Sequence, residues 1–138
     1  MKRAIAYRFR IKDLAGGEYV AGKTINNPTY VKLGDLKVSR VDLLGKVLEK
    51  NDSDGFSSMT LQDKTGKIKI KAFGNDSLMA REVAIGDLVR VIGKIRQDQA
   101  ERFVLGEIVK KIDDANYELL REKELGPKKS DLVEEISF

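Results

Sequence analysis

The chain contains no cysteine and no histidine. The first absence excludes disulfides and thiolate nucleophiles. With the second, a zinc site would have to be built from carboxylates alone, against the usual preference of zinc for nitrogen and sulfur. Ser-His and Cys-His pairs have no members here, and no glycine-rich phosphate loop ending in Lys-Ser/Thr occurs. No run of about 18 apolar residues is present to span a membrane as a helix. The amino end, MKRAIAYRFRIK, lacks the continuous apolar segment of a secretory signal. Asp52-Ser53-Asp54-Gly55 has the start of a calcium loop but not its remaining ligands or closing glutamate, and reads as a turn. The expectation is a non-enzymatic protein without metal or cofactor, cytoplasmic and nucleoid-associated rather than exported or membrane-bound.

What is present is charge, unevenly placed. The net charge of +4 divides into +5 over residues 1–37, +3 over 38–112 and −4 over 113–138. A basic body with an acidic end suits a polyanion for the first and a different partner for the second.

The most informative stretch is Thr60–Phe73, TLQDKTGKIKIKAF. Two short runs flank Asp63-Lys64-Thr65-Gly66, a tight turn whose glycine is able to take the left-handed conformation. The second run alternates strictly, so Lys67, Lys69 and Lys71 share one face with Phe73, and Ile68, Ile70 and Ala72 share the other. Cations leading to an aromatic ring suit a surface that grips phosphates and stacks a base; a protective lysine-rich strand edge is the competing explanation. Phe56 has the parity of Ser58, Thr60 and Gln62. It faces outward beside Phe73 if Leu61 points inward; otherwise it plugs the barrel mouth.

Further strands are expected at Ala4–Lys12, Val41–Lys50, Gly86–Arg96 and Arg102–Ile112, with a short helix over Asn75–Val83 capped by Asp76 or Ser77. In the first of these, Ile5, Tyr7, Phe9 and Ile11 form the buried side, and Arg8, Arg10 and Lys12 form a second basic row that either extends the groove or, the preferred reading, faces water. Tyr30, Val31 and Leu33 form a strap across the body. Gly45 and Gly93 fall in mid-strand, where bends are expected. Three strands, a helix and two more strands with such bends describe an all-β protein with short helices: a five-stranded OB-fold barrel over 38–112. An N-terminal strand and strap (1–37), a C-terminal helix (113–126) and an acidic tail (127–138) flank it. Lys94 and Arg96 leave the fourth strand on one face, with Arg102 across the following turn, as candidate phosphate contacts. On the last helix Ala115, Leu119 and Leu120 share a side that either caps the barrel or docks on a second subunit.

Four segments carry a resemblance: NPTYVKLGDLKVSRVDLLGKVLEK (27–50), SMTLQDKTGKIKIKAF (58–73), GDLVRVIGKI (86–95) and IVKKIDDANYELLRE (108–122). In this order they resemble the oligonucleotide-binding subunits of replication protein A, especially the middle-subunit-like proteins of archaea. The resemblance implies binding of single-stranded DNA in replication, repair and recombination, and assembly with other replication protein A subunits through the last helix. It implies base stacking at Phe73, where the family often has tryptophan (this chain has none), and at Phe103 near the loop between the fourth and fifth barrel strands. Two alternatives stand beside this: an assembly subunit that binds little DNA, and an RNA-binding module. The tail ending Glu134-Glu135-Ile136-Ser137-Phe138 is expected to be disordered or packed on the body, with recruitment of a partner as the alternative.

Overall fold

The computed structural model describes residues 6–22, 28–113 and 128–129. Its main sheet curls into a closed barrel of five strands: β5 (Arg40–Ser53), β6 (Phe56–Gln62), β7 (Lys67–Phe73), β8 (Leu88–Asp98) and β9 (Glu101–Lys111). Neighbours run in the order β5-β6-β7-β9-β8 and back to β5, with the β7–β9 pair parallel and the rest antiparallel. This is the OB-fold expected from the sequence.

Closure depends on β5 serving two partners. Residues 40–46 pair with β8 and residues 46–53 with β6, and the strand turns at Gly45. A methyl group there would stand 2.6 Å from the Gln62 carbonyl oxygen, so only glycine lets β5 cross so close to β6. Gly93 plays the same part opposite the Leu105 carbonyl, at a bulge between Ile92 and Gly93. A second bulge, between Val47 and Glu49, reverses the face that β5 presents beyond it.

The interior is aliphatic. Val41, Leu43, Val47, Met59, Leu61, Ile70, Val91, Ile95 and Val104 are buried in one cluster. Burial of each large side chain stabilises by about 1.5–3 kcal/mol relative to exposure. Helix α1 (Ile11–Gly16) contributes Ile11 and Leu14 to this cluster, and α2 (Asp76–Arg81) contributes Ala80, followed by Val83. The two helices sit at opposite ends of the β6–β7 hairpin. The Ile11 amide donates to Asp63 in the hairpin turn, whereas α2 starts just after Phe73.

Several local expectations are corrected. Among the described residues the first strand is β1 (Ala6–Arg8), parallel to β5, and the chain turns into α1 where a continued strand was expected. Asp13 accepts from the Arg10 amide and Asp63 from that of Ile11, so carboxylates satisfy the first free donors of a helix. Arg8 is buried rather than facing water, because β1 lies between β5 and β10 (Lys128–Lys129) and its guanidinium approaches Asp42 at 3.8 Å. In α2 the inward residues are Ser77 and Ala80, while Leu78 and Met79 are exposed. Neither Asp76 nor Ser77 caps it; the Ser77 hydroxyl donates to the Gly74 carbonyl. Gly66 has no positive φ. Asp63 shapes that turn instead, its Oδ1 accepting from the Thr65 amide and hydroxyl and the Gly66 amide.

The strap comprises β2 (Glu18–Val20), β3 (Tyr30–Leu33) and β4 (Leu36–Val38), a small antiparallel sheet whose Val31 and Val38 join the core. The expected helix over 113–126 and the tail lie outside the described residues, apart from Asp113 and β10. Among the described residues, no helix is long and apolar enough to cross a membrane.

Candidate nucleic-acid interface

The outer wall of β6, β7, β9 and β8 gathers most of the residues singled out above. Leu61 is fully buried, so Phe56 faces outward and pairs directly across from Phe73. The rings stand 4.8 Å apart between centroids, tilted by 40°. This is the close tilted packing that aromatic pairs prefer to a face-to-face sandwich. Phe73 is 54% exposed, so much of its ring is open to solvent.

Below the ring pair, Ser58 faces Lys71, Thr60 faces Lys69 and Gln62 faces Lys67. The parallel β7–β9 ladder then places Phe103 opposite Lys69 and Leu105 opposite Lys71. On the far side of β9, Arg96 faces Phe103 and Lys94 faces Leu105. Thus Phe56, Lys67, Lys69, Lys71, Phe73 and Phe103 point outward from three adjacent strands, and Lys94 and Arg96 point outward from β8, the next strand round the closed barrel. Phe73 is four positions beyond Lys69 on β7, so Phe103 lies about 13 Å along the strand direction from the ring pair.

Arg102 does not join them. It has the inward parity of Val104, and its guanidinium donates to the carbonyls of Leu14 (2.5 Å) and Gly17 (2.7 Å) while approaching the Tyr19 ring at 5.8 Å. That side chain ties the barrel to α1 and the strap. The proposed partner residues Ala115, Leu119 and Leu120 lie outside the described residues.

The structure also adds residues that sequence reasoning missed. A shallow groove of about 170 Å³ runs over β5, β6 and β7, lined by Glu49 and Asn51 of β5, Ser58 and Thr60 of β6, and Lys69 of β7. Ser58 and Thr60 were legible from their parity with Phe56. Glu49 and Asn51 were not, because they reach the outer face only through the Val47/Glu49 bulge. Lys50 stretches away to the end of α2, donating to the carbonyls of Arg81 (2.8 Å) and Val83. Its ammonium also lies 3.2 Å from Asp52. Partial burial pushes the Asp52 carboxyl up, but the Ser57 hydroxyl and the Lys50 ammonium outweigh it and hold the group below its ordinary value. Lys50 thus links the β5 end of the loop beside Phe56 to the end of α2 and neutralises Asp52 at its base.

Chemically, the wall supplies what a single strand needs: flat rings for base faces, ammonium groups for phosphates, and hydroxyl and amide groups between them. Among the described residues, the opposite side of β5 carries no such surface. There Asp42 is fully buried in a bidentate pair with Arg90, whose Nε donates to Oδ1 at 3.0 Å and Nη2 to Oδ2 at 2.5 Å, and Arg40 donates to Glu107 at 2.9 Å. Those arginines are committed to the fold.

A sequence profile described as the OB-fold nucleic acid binding domain matches residues 41–119. A 32 kDa subunit of replication protein A from Oryza sativa subsp. japonica is 32% identical over 99 residues, covering 70% of this chain and 33% of that protein. The chain therefore spans about a third of the length of this curated relative. Among solved structures, a chain from a replication protein A heterotrimer bound to ssDNA superposes with a TM-score of 0.72 at 15% identity, covering 89% of this chain and 93% of that one. The S. pombe Stn1-Ten1 complex gives 0.72 at 16%, with 89% of each chain covered. Yeast RPA bound to ssDNA gives 0.64 at 20%, with 90% of each covered. At these identities the structural likeness is one of fold.

Proposed function

Because the chain belongs to the OB-fold nucleic-acid-binding family and is replication protein A-like, we propose that it is a single-stranded DNA-binding subunit of a replication protein A-like complex. It would act in replication, repair and recombination in the cytoplasm, on the nucleoid. The observation that carries this is the Phe56–Phe73 ring pair, half open to solvent at the head of the Lys67, Lys69 and Lys71 row. An ion-pairing surface alone needs no exposed ring, and a hydrophobic docking surface needs no lysine row. Both together suit a polyanion whose bases stack.

Support for partner subunits comes from the relatives, whose names describe a heterotrimer and a two-protein complex. The reading requires no catalytic group. Binding should tolerate sequence, because every base offers a stacking face, and should weaken steeply with salt as counterions are released. The test is a fluorescence titration of the purified chain with labelled oligo-dT at two ionic strengths, alone and with its partners. Competition by a matched RNA oligomer separates DNA from RNA recognition. Undetectable binding at low salt in every combination would refute the proposal and leave an assembly role.

A further inference from the structure

We propose that Phe103 is a gated stacking site, covered in the free protein by Lys71 and uncovered when the phosphate of a bound strand draws Lys71 away. This rests on the function proposed above, and it makes Glu101 a positioning residue for that function.

The two aromatic positions of the wall differ. Phe73 stands open, its aromatic neighbour being Phe56 across the ladder. Phe103 is half buried, and the Lys71 ammonium sits over its ring, 4.3 Å from the centroid. The ladder explains this placement. Lys71 lies opposite Leu105, so its chain reaches diagonally back along β9 toward Phe103 and then to Glu101. Glu101, two residues before Phe103 on the same side of β9, holds the ammonium at 3.6 Å. A cation is thus fixed between a carboxylate and a ring face.

A base and an ammonium group cannot occupy the same face of Phe103. Stacking there requires Lys71 to leave, giving up both the cation–π contact and the ion pair. A phosphate group supplies a replacement anion for the displaced ammonium, which a free base or nucleoside does not. Engagement is therefore ordered: the open Phe56–Phe73 pair takes the first base, and Phe103 takes another only after Lys71 has turned to the backbone. Glu101 itself contacts no part of the strand; it acts through Lys71.

The experiment is a double-mutant cycle on the full chain, with oligo-dT affinity read by fluorescence anisotropy. Glu101→Gln should tighten binding about threefold, the scale of an exposed ion pair. Lys71→Met should weaken binding, and adding Glu101→Gln to it should change nothing further. Equal tightening in both backgrounds would mean that Glu101 simply repels phosphates, and would overturn the gate. Asp98→Asn, which removes the other carboxylate of the turn, is the control for such repulsion; its effect should persist in Lys71→Met.

Nuclear magnetic resonance of the free protein gives a readout that needs no DNA. The Lys71 ε-methylene protons should be shifted upfield by the Phe103 ring and move back in Glu101→Gln. Unshifted protons overturn the gate even if DNA binds. Shifted protons in a protein that binds no DNA overturn the proposed function instead, and leave the gate without its strand.

Discussion

Replacing Phe73 with alanine separates a stacking surface from an ordinary strand end. The ring is 54% exposed, so its truncation removes only about half the burial of a core phenylalanine, close to 1 kcal/mol. Loss of the tilted contact with Phe56 adds about 0.5–1.5 kcal/mol. The fold should survive with a stability loss of about 2 kcal/mol, measurable by urea unfolding. Affinity for single-stranded DNA should fall more visibly. One stacked base contributes about 1–3 kcal/mol, which places the loss near tenfold or above. Phe73→Trp should move affinity the other way, since the larger ring offers more stacking area and the exposed site has room for it. Anisotropy with labelled oligo-dT at fixed salt measures both variants. Unchanged affinity in a folded Phe73→Ala protein would remove the ring pair from the interface, and with it the observation on which the proposed function rests.

Other expectations concern the surrounding charges and the frame. Lys69→Gln should weaken binding to all sequences alike and reduce the slope of log K against log salt by about 0.7, the value for one phosphate contact on a single strand. Arg102→Met removes donors from the Leu14 and Gly17 carbonyls; it should cost about 1.5–3 kcal/mol of stability. Hydrogen exchange in α1 and β2 should rise, while DNA affinity measured at a temperature where the variant stays folded changes little. Gln99 and Ala100 both have positive φ, at 47° and 69°, in the β8–β9 turn. Ala100→Gly should raise the thermal midpoint, because relief of about 1–2 kcal/mol of left-handed strain exceeds the added freedom of the unfolded chain. The carboxyl of Asp52 is held below its ordinary value of 3.8, so its contribution is complete above that pH and is lost as acid takes the solution through the lower folded value. Ser57→Ala should move that titration upward, as carbon-detected NMR would record.

Parts of this architecture were legible because strand side chains alternate. The lysine row on β7 and the outward parity of Phe56 follow from period two once Leu61 is taken as buried. Gly45 and Gly93 were legible as bends because a mid-strand glycine is costly without a steric reason. Other features escaped because they depend on distant groups. The turn from β1 into α1 relies partly on Asp63, some fifty residues away. Arg8 looked exposed because pairing with β5 and β10 cannot be foreseen from an alternating segment. Arg102 had the right neighbourhood for a phosphate contact, yet its parity sends it to the strap. A bulge shifts β5 by one residue and brings Glu49 and Asn51 into the groove, and no residue type announces it.

The succession of barrel strands along the chain, the aliphatic interior and the cationic face of β7 were therefore set by local pattern, because alternation and glycine placement act over neighbouring residues. Which rings meet, which cations remain available and which are spent on carbonyls or carboxylates was decided only when the barrel closed. Closure fixes the register between strands far apart in the chain, and it is register that puts Phe56 against Phe73 and Lys71 above Phe103.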